Sequence, residues 1–280
     1  MSGKPNNALA QLLQQAFFAL RAKQFDVAAR LAAEALKSNR TDRNAAMILA
    51  HALLGQNRAG EAIPPLDKVA RRSNDPEVET LLGHALCGAH RESEGIAQLR
   101  RTAARRPPYL PAFQELAGQL AKAGQLDEAV KVIEDAVALS PSSIELKVDL
   151  GRLSLQNNDR AKALAVLTSV RDAAPGRADV LVELAKALLL DGKYAEAAEL
   201  YRHVLAQRPD DILSQANRAI CLMEMGKRDC GEAALRNVLR GRPQMLGRAA
   251  FALASTTHGR FFFRPSAAAK FLERELAPTP

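Results

Sequence analysis

A chain of 280 residues that is 48% hydrophobic, only 4% aromatic and free of tryptophan has the alanine- and leucine-rich make-up of a helical protein. It excludes a β-sandwich, which wants Val, Ile, Thr and aromatics. The formal net charge of +8 and the pI near 9.6 permit an acidic partner, but charge of this kind by itself describes a well-solvated basic surface.

The chain opens as MSGKPNNALAQLLQQAFFAL, without a basic n-region, a continuous apolar h-region or a small-residue cleavage site. Nowhere do about 18 apolar residues run together, so no membrane span is predicted and no membrane is expected among its partners. Cys87, Cys221 and Cys230 are odd in number and form no CxxC pair, which suits reduced, mostly buried thiols. A cytoplasmic location is the expectation, with residues 1–8 as a flexible tail.

From Leu9 onward the chain is periodic. Proline stands at Pro107, Pro141, Pro175, Pro209 and Pro243, each 34 residues after the last. A fixed period of this size marks stacked copies of one supersecondary unit. In the copy from Ala178 to Asp211, Leu181, Leu184, Ala185 and Leu188 keep helical spacing. Asp191-Gly192 then breaks the helix, and a second stripe of Ala197, Tyr201, Val204 and Leu205 runs until Pro209. The unit is a helix–turn–helix hairpin.

Counting Ala178 as slot 1, slot 8 holds Ala16, Ala50, Gly83, Ala117, Gly151, Ala185 and Ala219. Slot 20 holds Ala28, Ala62, Gly95, Ala129, Ala163, Ala197 and Gly231. Small residues at both slots predict two helices crossing closely. Slot 24 carries Leu66, Leu99, Ile133, Leu167, Tyr201 and Leu235, which are expected to fill the space between units. The turn slot carries Gly124, Gly192 and Gly226, or Asn57 and Asn158, residues that tolerate the left-handed region.

These residues resemble the tetratricopeptide repeat family over seven copies, from Leu9 to about Met245. Tyr194 and Tyr201 fit its aromatic slots, Phe25 and Phe113 partially. The first two copies run one residue late, because a residue is missing near Asp75-Pro76, and they close on Arg40 and Asn74 in place of proline. Copy seven has Arg218 where a leucine is usual. The resemblance implies an all-α fold: a right-handed superhelical solenoid of about seven hairpins over 9–245, closed by a capping helix pair over 246–276 and a tail at 277–280.

At the C-terminal end, Leu246 to Thr257 continue as an eighth first helix and Pro265-Ser266 suit another helix start. Phe261, Phe262 and Phe263 between them are expected to pack beneath the cap; the alternative is an exposed interface for a partner or for self-association.

No catalytic motif is present: GxSxG, GxGxxG and GxxxxGK[ST] are missing, and the five histidines never pair at zinc-ligand spacing. No enzymatic activity, cofactor or metal is expected. Arg100, Arg101, Arg105 and Arg106 form the densest basic cluster, but no aromatics interleave with them, so nucleic acid is not an expected partner.

In the resembled family, slots 2, 5, 6, 9, 12 and 13 of each first helix line a concave groove that holds peptide segments. Carried onto this chain, those slots nominate Glu115, Asp149, Glu183 and Asn217, with Glu145 and Asp179, and with the bases Lys122, Arg152 and Lys186. They also nominate a more apolar N-terminal wall of Phe17, Met47, His51 and His84. The plainer reading is that these charges are the solvated face of the first helices, half-neutralised by their neighbours. The expected function is a non-enzymatic scaffold or adaptor that holds a protein or peptide segment bearing Lys or Arg in this groove. The alternatives are recruitment of a separate modifying enzyme, a sulfotransferase or glycosyltransferase, or self-assembly into a homo-oligomer. The slots of a chaperone-tail clamp hold Met47, Ile48, His51, Thr80, Leu81 and His84, so that adaptor class is disfavoured.

Overall fold

The structure, a computed structural model, describes residues 4–240 and 242–273, with side chains from residue 8 onward. The described residues fold into sixteen α-helices and no strand. None of these helices is long and apolar enough to cross a membrane. Two compact units divide at Leu146/Lys147.

Unit 1 contains four hairpins. They are α1 (Lys4–Arg21) with α2 (Phe25–Ser38), α3 (Arg43–Gly55) with α4 (Ala59–Ser73), α5 (Pro76–Gly88) with α6 (Glu92–Ala103), and α7 (Leu110–Lys122) with α8 (Leu126–Leu139). From α3 onward each first helix of unit 1 touches its own partner, the preceding second helix and the preceding first helix, which is the stacking that a repeat needs to bury its apolar side. Unit 2 takes in most of α9 (Ile144–Gln156), then α10 (Arg160–Ala173), α11 (Ala178–Leu190), α12 (Tyr194–Gln207), α13 (Ile212–Glu224) and α14 (Arg228–Leu239). A 3₁₀ turn at Pro243–Met245 leads to α15 (Leu246–Ser255) and α16 (Pro265–Glu273).

Local chemistry accounts for the boundaries. Pro107, Pro141, Pro175 and Pro209 each fall just past the end of a second helix, where a missing N–H and a fixed φ stop propagation. Asp42, Asp75, Asp159 and Asp211 accept backbone N–H bonds at the starts of α3, α5, α10 and α13. The turn slot is left-handed in all seven copies, at Asn57, Asn158, Gly124, Gly192 and Gly226, and also at Lys23 and His90, which sequence chemistry did not single out.

The helix α1 begins at Lys4, with a proline at position 5 in its first turn, where a missing donor costs nothing. Residues 1–3 and 274–280, with the end of the expected cap and the C-terminal tail, lie outside the described residues.

Packing explains the slot pattern. The slot-24 residues Leu66, Leu99, Ile133, Leu167, Tyr201 and Leu235 are all at most 1% exposed, so each removes a large apolar side chain from water and stabilises by about 1.5–3 kcal/mol. The small slots are small because of backbone proximity. A Cβ on Gly95 would stand 2.8 Å from the Gly83 carbonyl oxygen and 2.9 Å from the Cys87 nitrogen, so α5 and α6 meet main chain to main chain.

Candidate functional site

On the first-helix face of unit 1, α3, α5 and α7 border an open cavity of about 360 Å³. Its apolar wall is Met47, Leu54 and Leu81, joined by His51, Thr80 and the ring of Tyr109, which precedes α7. Two carboxylates complete the lining, Glu77 from α5 and Glu115 from α7. Glu77 is held in place by Arg43 of the preceding hairpin, whose guanidinium also binds Asp75, the cap of α5.

A second cavity, of about 530 Å³, opens beside His84 and is lined by Cys87, Ile96, Gln119 and the exposed Lys122. His84 lies on both cavities. Its Nδ1 is 2.6 Å from Glu115 Oε1, and the Gln119 side-chain amide donates to that same oxygen at 2.6 Å. The hydrogen bond to Glu115 holds the His84 pKa above the ordinary value, against the opposing effect of burial. For Glu115, burial opposes ionisation, but the bonds from His84 and Gln119 outweigh it and hold the carboxyl below its usual range. His51, one hairpin earlier, is shifted down by burial, with the charge of His84 adding to the effect.

The charged pair therefore stabilises within a window. The His84 contribution is complete below the unperturbed histidine value of 6.5 and fades as pH rises through the raised value. The Glu115 contribution is complete above 4.5 and fades as pH falls through the depressed value. With 38% of the His84 side chain exposed, screening limits the pair to about 1 kcal/mol or less. Urea unfolding of wild type and His84→Gln should differ most between the two unperturbed values, and the difference should shrink as pH rises through the raised His84 value; a difference that grows with pH would contradict this geometry.

The remaining nominated residues have other surroundings. Phe17, on α1, is 48% exposed beside Phe18 and lines neither cavity. Glu145 lies in the first turn of α9 and is reached by the Ser143 hydroxyl at 3.4 Å. In unit 2, Arg152 bonds Asp149 at 3.1 Å and Glu183 at 3.3 Å, while Lys186 bonds Glu183 at 3.1 Å. The Glu183 side chain is only 9% exposed, so this carboxylate is clamped between two bases of its own chain. Asp179 is held 2.7 Å from Arg177, which keeps its carboxyl below the usual range. Asn217 donates to the hydroxyl of buried Tyr201 at 3.1 Å.

The arginine cluster is also engaged internally. Arg100 bonds Glu128 at 2.7 Å, and Arg105 reaches both Glu79 at 2.8 Å and Asn74. Burial pushes the Cys87 thiol up and the Cys221 thiol up to about 12, so both are unreactive packing residues; Cys230 is exposed. The three phenylalanines of the α15–α16 connection have different surroundings. Phe262 packs against Phe271, whereas Phe261 and Phe263 are 70% and 94% exposed. Neighbouring side chains in the short connection face opposite sides, so three in a row cannot all enter the core. Among the described residues, no group of three His, Cys, Asp or Glu is placed to hold a metal ion.

Two family models described as tetratricopeptide repeat match the sequence, one over residues 18–76 and the other over 120–181 and 188–254. No curated protein matches it. Among solved structures, the C-terminal part of a repeat-containing protein from Cytophaga hutchinsonii superposes with a TM-score of 0.60 at 15% identity, covering 86% of this chain and 99% of that one. A structure of Pseudomonas aeruginosa pilF gives a TM-score of 0.58 at 18% identity, over 72% of this chain and 92% of its own. MamA from Desulfovibrio magneticus gives 0.50 at 21%, over 62% and 98%. At these identities the likeness is one of fold.

Proposed function

We propose a function on one premise: this chain belongs to the tetratricopeptide repeat family. Proteins of this family generally mediate protein–protein interactions, and this one is a non-enzymatic scaffold that holds a segment of a partner protein. The carrying observation is the cavity of about 360 Å³ on the first-helix face of unit 1. Its Met47, Leu54 and Leu81 wall suits an aliphatic side chain of the segment. Glu77 and Glu115 beside that wall favour a Lys or Arg close to the aliphatic anchor, setting orientation and on-rate more than affinity. The unit 2 acids take a lesser part, since Asp149 and Glu183 are already bound to Arg152 and Lys186.

Selection of phage-displayed peptides on the intact protein tests this reading. The expected motif is an aliphatic residue with Lys or Arg within a few positions. Thr80→Arg, which fills the cavity from the middle of α5, should weaken the selected peptides by tenfold or more, a loss of about 1.4 kcal/mol. Peptides that bind this variant as tightly as wild type would place recognition elsewhere.

A further inference from the structure

The end of unit 2 has a chemistry that groove binding does not use. The forty residues between Glu232 and Glu273 contain seven Arg and Lys and no Asp or Glu, so they hold seven of the eight net positive charges of the whole chain. Within this stretch, Arg260-Phe261-Phe262-Phe263-Arg264 makes the connection from α15 to α16. Phe262 turns inward onto Phe271, with ring centroids 5.3 Å apart, and joins the core of Leu235, Leu253 and Leu272. Phe261 and Phe263 turn outward, edge to face at 5.3 Å.

The base of this connection is fixed. The Arg260 N–H donates to the Leu253 carbonyl at 2.8 Å, and its guanidinium donates to buried Glu232 at 2.6 Å while lying 4.9 Å from the Phe271 ring centre. Arg228 binds the Gly259 carbonyl at 3.3 Å. A Cβ at Gly259 would collide with the Leu253 carbonyl, so the chain passes here only as glycine. Two bare aromatic rings are thus presented on an anchored support, and docking them requires little further ordering.

We propose that this end of the molecule is a peripheral membrane-binding surface, in which Phe261 and Phe263 insert into the interfacial layer of a bilayer containing anionic lipids. A bilayer surface supplies both things the patch lacks, an apolar medium for the rings and negative headgroups for bases that outnumber Glu232 and Asp210, the acids paired with Arg236, Arg260 and Arg242. Other occupants satisfy only half of this. Single-stranded nucleic acid stacks its bases on aromatic platforms, and rings inclined at 87° do not form two successive ones. An acidic peptide would neutralise the bases but leave Phe263 in water. A second copy docking through the same end would oppose two surfaces that each keep a net positive charge. The contact is peripheral, adding an interfacial role to a chain in which no spanning helix is described.

Co-sedimentation with vesicles tests the proposal. The full chain should pellet with phosphatidylcholine vesicles carrying roughly 30% phosphatidylserine, should not pellet with phosphatidylcholine alone, and should be released as salt is raised. The double variant Phe261→Ser/Phe263→Ser should bind at least tenfold more weakly with an unchanged melting temperature, because neither ring contributes to the core. Arg264→Glu, which keeps both rings, should weaken binding severalfold. No binding of the wild type to anionic vesicles overturns the proposal, as does a double variant that binds as well as wild type. Ring-dependent binding of an oligonucleotide, or ring-dependent dimerisation in sedimentation velocity, without vesicle binding would assign the patch to those occupants instead.

Discussion

Replacing Tyr201 with alanine is expected to destabilise unit 2 by about 3–5 kcal/mol, the cost of deleting a fully buried aromatic ring. The ring is 0% exposed at slot 24 of α12 and shares its cluster with Leu167 of α10, Leu184 and Leu188 of α11, and Cys221 of α13. One side chain therefore fills the space among three consecutive hairpins. In a stacked array each hairpin is held only by its neighbours, so the cavity weakens a local interface that no distant contact replaces. Tyr201→Phe isolates the hydroxyl: it keeps the ring, removes the partner of the Asn217 amide, and should cost about 1 kcal/mol. Urea unfolding followed by far-UV circular dichroism measures both. An alanine variant within about 1 kcal/mol of wild type would show that the three hairpins do not depend on this ring.

Glu232→Gln is expected to cost about 2–3 kcal/mol and to loosen the connection between α15 and α16. The Glu232 side chain is 4% exposed and receives Arg228 at 3.1 Å, Arg236 at 3.4 Å and Arg260 at 2.6 Å. Neutralising it leaves three guanidinium groups crowded together, one of which, Arg236, already has a buried Nε without a hydrogen-bond partner. Arg228 and Arg260 are 39% and 41% exposed and can rehydrate, which keeps the cost at the lower end for a broken buried pair. The exposed Arg202–Glu199 pair, by contrast, should tolerate Glu199→Gln without measurable loss. Limited proteolysis near Arg260 reads the loosening directly. Cleavage at the wild-type rate would mean that Glu232 does not anchor the connection.

Much of the site was within reach of the repeat register. Slot 5 led to Met47 and slot 9 to His51 and His84, which line the cavities of unit 1, whereas Glu77 at slot 2 and Leu54 at slot 12 were not singled out although the same register reaches them. Tyr109 was missed, since it precedes α7 and stands outside every groove slot; the only signal was an aromatic residue two places beyond Pro107. Pairing of Asp149 with Arg152 and of Glu183 with Lys186 was legible, since each pair stands three residues apart on one helix. Whether Glu183 meets Arg152 depends on the spacing of adjacent first helices, which only packing sets.

The amino-acid order by itself determined the repeat unit, its boundaries, its small crossing positions and its buried slot-24 residues. Those features follow from helical periodicity, the missing proline donor and side-chain volume, which act over a few residues. The tertiary structure alone decided which ion pairs form between hairpins, where the cavities open, and that Phe262 packs inward while Phe261 and Phe263 face water. Those outcomes depend on distances between residues some 30 positions apart, which one-dimensional spacing does not encode.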